Sequence, residues 1–242
     1  MKIFVITGCT SENNLGYKIA KAIKEKIEGA YIVGYVEKIS DTVDYSHIDE
    51  ILEIDLSTDF DMSRINNSFG VHALINAAGW NSLQWFDDDF DWDIHEKIMN
   101  INFKSPCKLI QKILPSLQKA NGTVLNIISM GAVKPFRTSF SYNTSKAALR
   151  MATIQLAREH SDLTIFGISP NELEGTHMTE DVRKQVEAIR GWTPEQAENY
   201  RLAAANSQKL TSPDLLADFI AHILQSKNHH HHFTGCDIQY GF

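Results

Sequence analysis

The 242-residue chain predicts an α/β protein: one doubly wound, mostly parallel sheet of about seven strands with helices on both faces. Short apolar runs recur along the chain with helix-forming segments between them. Within each run the apolar residues follow one another instead of alternating, as in strands buried on both faces. A hydrophobic content of 43% and this length suit one well-buried core.

KIFVIT (2–7) is the first strand, followed by LGYKIAKAIKEKIEG, where Leu15, Ile19, Ala22, Ile23 and Ile27 recur at helical spacing before Gly29. AYIVGYV (30–36) and ILEIDL (51–56) are the next strands, and the polar segment 37–50 between them has room for only a turn or a brief helix. HALINAA (72–78), TVLNII (123–128), TIFGIS (164–169) and CDIQY (236–240) complete the set. Longer helices are expected over 91–119 and 142–160, and a last one near 212–226. The segment 171–210 is long and polar, with helical stretches between 177 and 206 interrupted by Gly191 and Pro194, and reads as a lid over a substrate site. No repeat or linker divides residues 1–242, which are read as a single domain.

Composition narrows the function. With 23 basic and 30 acidic residues the net charge is −7, and no cationic run could neutralise a nucleic-acid backbone or an anionic membrane. Neither is expected as a partner. No apolar run reaches the length of a membrane span, and MKIFVITG is too soon polar for a secretory segment, so a soluble cytoplasmic protein is the expectation. Cys9, Cys107 and Cys236, odd in number and widely spaced, fit reduced thiols better than disulfides or a zinc site. The run His229 to His232 cannot aim four side chains at one ion from an ordered backbone and is read as a loop without a metal role.

The strand ends carry the candidate chemistry. The first strand leads through TGCTSENNLGYKIA into a helix, with Gly8 and Gly16 in the turn. A pyrophosphate can sit there, against free N–H groups at the positive end of the helix. Glu37 follows the second strand, where a carboxylate accepts hydrogen bonds from ribose hydroxyls and repels a 2′-phosphate, favouring NAD over NADP. Asp55 closes the third strand, and NAAG (76–79) ends the fourth with small residues suited to close approach of a ligand.

In SFSYNTSKAAL (139–149), Tyr142 and Lys146 stand at i and i+4 and share one helix face. A free phenol, with a pKa of about 10, is a poor acid or base at neutral pH; a nearby ammonium favours the phenolate and draws that value down. Ser129 ends a strand thirteen residues earlier (142 − 129), where its hydroxyl could bind a substrate oxygen together with the phenol.

TG…LG, NAAG, a serine ending the fifth strand, YNTSK and a proline after the sixth stand in the order and approximate spacing of the short-chain dehydrogenases/reductases. The chain resembles that family along its whole length. The resemblance implies a Rossmann-type domain and hydride transfer between a nicotinamide cofactor, NAD(H) favoured and NADP(H) allowed, and a small-molecule carbonyl or secondary alcohol. It implies that Tyr142 is the general acid/base, that Lys146 lowers its pKa and binds the nicotinamide ribose, and that Ser129 orients the substrate oxygen. Asn102, in MNINFKS, would hold a water that continues the proton path. Gly8, Thr10, Ser11, Asn14, Leu15 and Gly16 would cradle the phosphates, and Asp55 and Leu56 would contact adenine. Asn76, Ala77, Ala78 and Gly79 would flank the adenine ribose and the nicotinamide side, with Pro170 and Thr176 beside the nicotinamide. A homotetramer or dimer is implied as well, through the helices carrying Asn102 and Tyr142.

Thr7 to Gly16 is two residues longer than the family's T-G-x-x-x-G-x-G, with Asn14 where a glycine is usual; asparagine's tolerance of positive φ lets a turn form. Glu12 suits phosphates only if it points outward. PN (170–171) replaces the usual proline-glycine, Thr176 comes one residue late, and FTGCDIQYGF lacks the final double glycine. The altered loop favours an alternative, a catalytically silent dinucleotide-binding homologue acting as a sensor or scaffold. The set Asn102, Ser129, Tyr142 and Lys146 favours the enzyme. Trp80, Trp85, Phe86, Met130, Phe136 and Trp192 are read as packing residues, some available to an apolar pocket, and Lys134 and Arg137 as solvated loop charges.

Overall fold

A computed structural model describes residues 1–60, 69–199, 210–226 and 230–241. The expected helical stretch over 200–206 and His229 lie outside the described residues. The strands are β1 Lys2–Thr7, β2 Ala30–Val36, β3 Glu50–Glu53, β4 Val71–Asn76, β5 Thr123–Ile127, β6 Thr164–Pro170, β7 Glu172–Leu173, β8 Leu210–Thr211 and β9 Asp237–Tyr240. Seven of them form one sheet in the order β3-β2-β1-β4-β5-β6-β9, and every pairing in it is parallel.

Alternation along each strand splits the core into two layers. Phe4 and Ile6 of β1 face α1 (Leu15–Lys26) and α6 (Pro213–Gln225), with Ile19, Ile23, Leu216 and Ile220 all fully buried there. Val5 faces the other side, where α3 (Ser105–Ala120) packs Leu109, Ile113 and Leu117 onto Leu74, Val124 and Ile165. Helix α4 (Phe140–Glu159) lies in that same layer through Ala157 and begins two residues before its expected start. Covering both faces explains why the strands read as continuous apolar runs.

The crossover 37–49 contains no helix at all. Its residues offer no apolar stripe, so a helix there would have had nothing to bury. Turns carry it instead: Asp49 accepts hydrogen bonds from Ile32 N–H (2.8 Å) and Lys24 Nζ (2.7 Å), and Tyr17 Oη donates to the Asp44 carbonyl (2.6 Å). Ile48 fills the notch that Gly34 leaves in β2; a Cβ at Gly34 would sit 3.0 Å from it.

The expected helix over 91–119 is two α-helices, α2 (Trp92–Met99) and α3, joined by a π-helical turn at Asn100–Lys104. Asp91 caps α2 by accepting from the N–H groups of Asp93 and Ile94. Beyond β6, β7 and β8 pair as a separate two-stranded ribbon that ties together the two ends of the 171–210 excursion. Between them α5 (His177–Arg190) is bracketed by Gly175 (φ 68°) and Gly191 (φ 65°), and residues 194–199 are helical again.

Candidate active site

The strand order reverses at β1 and β4, so the loops leaving their C-terminal ends diverge and open a crevice. Thr7 pins the two ends together, its Oγ1 accepting from the N–H groups of Ala77 and Ala78 at 3.0 Å each. Gly8 turns the chain with φ 80°, and a Cβ there would lie 2.9 Å from Ala78 N. At Gly16 a Cβ would lie 2.4 Å from the Thr7 carbonyl oxygen, so only glycine lets α1 start this close to β1.

The lengthened loop differs from its sequence reading in one respect. Asn14 is extended (φ −82°, ψ 145°) and needs no tolerance of positive φ; Gly8 alone takes up the left-handed turn in this stretch. Asn14 occupies the N-cap of α1 without a side-chain bond to the helix, so the first-turn N–H groups receive no side-chain cap. Leu15 is in the core and can offer a ligand only its backbone. Glu12 does point outward, accepting from Asp44 N–H (3.3 Å), while Thr10 Oγ1 accepts from Glu37 N–H (3.4 Å).

Glu37 is exposed at the end of β2. The Asp55 carboxylate is engaged by Ser57 N–H (2.8 Å) and Ser57 Oγ (2.6 Å), which hold it below the usual carboxylate range with a smaller contribution from Lys97. The Leu56 carbonyl accepts from Ser105 Oγ (2.8 Å), and Lys97 Nζ lies over the Trp80 ring, 4.5 Å from its centroid. Asn76 is buried and directed into the sheet: its Nδ2 donates to Asn126 Oδ1 (2.8 Å), whose own amide donates to Thr153 Oγ1 on α4 (2.8 Å).

At the end of β5 the chemical residues meet. Lys146 is 3% exposed and donates from Nζ to the Ile127 carbonyl (2.9 Å); burial lowers its pKa to about 8. Nζ lies 5.9 Å from the centroid of the Tyr142 ring. Tyr142 lies against Ser129: burial raises the phenol above its ordinary value and a hydrogen bond with Ser129 offsets only part of the rise, so the expected lowering by Lys146 does not appear in this arrangement. Ser129 Oγ also accepts from Gly131 N–H (3.0 Å), which fixes the hydroxyl at the turn. Asn102 is fully buried in the π-helical turn, where its Oδ1 accepts from Trp80 N–H (2.8 Å) and its Nδ2 donates to the Trp80 carbonyl (2.9 Å) and Ser145 Oγ (3.0 Å). Gly79 joins these groups: a Cβ on it would be 3.5 Å from Asn102 Oδ1 and 3.6 Å from Lys146 Nζ.

Helix α5 closes over this assembly. Met178 places its methyl 3.2 Å from the same Cβ position at Gly79, and His177 Nε2 lies 3.4 Å from Ser11 Oγ in the glycine loop. Gln185 Oε1 accepts from Leu83 N–H (2.8 Å), Trp85 Nε1 donates to the Ile189 carbonyl (2.7 Å), and Arg190 donates to the Arg137 carbonyl (2.8 Å) and Thr138 Oγ1 (3.2 Å). Pro170 ends β6 in the core, and Thr176 is buried at the N-cap of α5 with its hydroxyl bonded to Thr179.

Sequence reasoning missed Trp80 and Ser145 as the partners that lock Asn102, although Ser145 lies within the YNTSK motif. It also missed His177 and Met178, which carry no spacing signal. Of the aromatic residues weighed for a pocket, Trp85, Phe86 and Phe136 line a groove of about 410 Å³ on the outer side of the start of α4, Met130 is core, and Trp192 stacks with Arg190. Among the described residues no cluster of three or more potential metal ligands is found. No described helix is long and apolar enough to cross a membrane.

The family model described as short chain dehydrogenase matches residues 2–187. The chain belongs to the short-chain dehydrogenase family. An uncharacterized oxidoreductase of Schizosaccharomyces pombe is 24% identical over 234 residues, covering 94% of this chain and 92% of that protein. Mouse (Mus musculus) estradiol 17-beta-dehydrogenase 2 is 28% identical over 152 residues; the match takes in 60% of this chain and 40% of the relative's length. Among solved structures, a short chain dehydrogenase family protein from Francisella tularensis superposes with a TM-score of 0.83 at 16% identity over 99% of this chain and 97% of that one. L-sorbose reductase from Gluconobacter frateurii, complexed with NADPH and L-sorbose, gives 0.78 at 23% identity over 98% and 94%. These likenesses carry the fold. The short-chain dehydrogenase match ends inside α5, so Arg190 lies beyond the matched stretch.

Proposed function

We propose that this short-chain dehydrogenase is a nicotinamide-dependent oxidoreductase that reduces a ketone or oxidises a secondary alcohol, with NAD(H) favoured. The observation that supports this most is Lys146: a buried lysine with no ion-pair partner among the described residues, one helical turn from a phenol that rests on a serine hydroxyl. A buried cation is costly to keep unpaired, and such groups concentrate at working sites. The crevice fits a dinucleotide. Gly8 and Gly16 leave no room for side chains, the first turn of α1 has no side-chain cap, and Lys146 offers ribose hydroxyls a donor.

A bound nicotinamide supplies or accepts the hydride. Tyr142 Oη holds the proton for the substrate oxygen, and Ser129 Oγ donates to that same oxygen and keeps it within reach. The Lys146 ammonium favours the phenolate when Tyr142 has given up its proton. Both Asn102 amide N–H groups are used, which leaves the second lone pair of Oδ1 to hold a water beside the lysine. Glu37, exposed after β2, would accept from ribose hydroxyls and exclude a 2′-phosphate. Self-association into a dimer or tetramer through α3 and α4 fits the exposed Phe140 and Met151 on α4.

Titration with NADH and with NADPH, followed by the fluorescence of the reduced nicotinamide, tests this reading directly. Saturable binding is expected, tighter for NADH, and a carbonyl panel then identifies the substrate. Tyr142→Phe is expected to abolish turnover, by a factor of about 10² or more, with NADH affinity nearly unchanged. Binding without turnover in the native protein would favour the silent homologue instead.

A further inference from the structure

We propose that His177 is a cofactor-binding residue carried by the lid helix, its imidazole donating to the pyrophosphate of the dinucleotide from the side opposite the glycine loop. The proposal rests on the dinucleotide reading given above. Residues 7 to 16 contain no lysine or arginine, and their one charged side chain, Glu12, is anionic. A pyrophosphate brings two more negative charges to that loop. Backbone N–H groups and the loop's own hydroxyls and amides can meet part of this demand, and a donor from outside the loop adds to them. The nearest cation on α1, Lys18, is engaged with Asp214 at 2.8 Å.

His177 reaches the loop from 166 residues away in sequence, its Nε2 3.4 Å from Ser11 Oγ. That separation exceeds the 2.7–3.2 Å of a well-made hydrogen bond, so exchanging Ser11 for a phosphate oxygen sacrifices little. The placement is not accidental fraying. Thr176 caps α5 from a buried position, Thr179 Oγ1 donates to the Leu173 carbonyl (2.6 Å), and Met178 rests at Gly79 beside Lys146. Two consecutive lid residues therefore stand at two ends of one ligand: His177 at the phosphate loop and Met178 at the lysine that would hold the nicotinamide ribose. Lid position and cofactor occupancy then become a single equilibrium.

Calorimetric titration of the whole protein with NADH and ADP, and competition by adenosine against NADH, test the assignment in native protein, His177→Ala and His177→Gln. His177→Ala is expected to bind NADH and ADP about tenfold more weakly, the loss of one charge-assisted hydrogen bond, with adenosine unaffected. Glutamine keeps an N–H donor and is expected to restore most of the affinity. Unchanged NADH and ADP binding by His177→Ala would overturn the proposal alone. An equal loss in both variants that extends to adenosine would overturn it too, by showing that His177 only supports the lid. Native protein that binds neither NADH nor ADP would overturn the dinucleotide reading, and this inference with it.

Discussion

Lys146 has no carboxylate beside it among the described residues, and its pKa of about 8 lies well below the ordinary 10.5. The unfolded chain therefore binds more protons than the folded one between those values, and stability rises with pH across that window. Below about pH 8 the full cost is present, on the order of 3 kcal/mol. Lys146→Met is expected to be more stable than the native protein at pH 7, with the difference shrinking towards pH 10.5, as urea unfolding at several pH values would register. Cofactor affinity should fall in the same variant. The Tyr142–Lys146 pair was legible because i, i+4 spacing is a local fact. Thr138 was not: it adopts φ 62°, rare for a β-branched residue, and is held there by Gln84 N–H on its carbonyl (2.8 Å) and by Arg190 on its hydroxyl. Neither partner is near it in sequence. Asn14 shows the converse, a residue credited with an unusual conformation that its neighbours never require.

Helix α5 is a stiff segment between two left-handed glycines, and nothing lies within 4 Å of where a Cβ would stand on either. Its attachments to the body are a few polar contacts rather than a large buried face; Thr179 and Val186 are its buried residues. Gln185→Ala removes the acceptor for the Leu83 N–H at a 2% exposed residue, at a cost of about 1–3 kcal/mol for the orphaned donor. Amide exchange at Leu83 is expected to accelerate while amides in β1 and β4 keep their protection. Uniform acceleration would mean that α5 is part of the cooperative core. That a long excursion leaves the sheet here was readable from its polarity, length and glycines. Its docking points were not, because Ser11, Leu83 and Arg137 lie 166, 102 and 53 residues from their partners. The ribbon of β7 and β8 escaped notice for a simpler reason: two-residue strands leave no periodicity to detect.

For the molecule as a whole, the inner strands were legible since each is apolar on both sides, whereas the edge strands β3 and β9 are only partly buried; the strand order came from the structure alone. One side of the α3–α4 layer still presents apolar groups: Phe140 is 39% and Met151 61% exposed, eleven residues and three helical turns apart on α4. If that face joins two copies of the chain, Met151→Glu buries an unpaired carboxylate at the contact. Sedimentation is then expected to show a smaller species than the native oligomer at micromolar concentration; a native protein that already sediments as a monomer would remove the interface.

The π-helical turn at Asn100–Lys104 has a consequence that can be counted in codons. A turn of this kind holds one residue more than an α-helical turn. Deleting a single residue there would return the turn to α-helical width, although Pro106 just after it still has no N–H to donate. The flanking helices would keep nearly their present phase, since the wide turn already absorbs the extra residue, but the side chains left within the narrowed turn would be re-aimed. Asn102 would swing away from Trp80, and the loop after β4 would lose its clamp. A three-base deletion would thus cost the site its clamp while leaving both helices in register, and the retained extra residue marks where regularity was given up for placement.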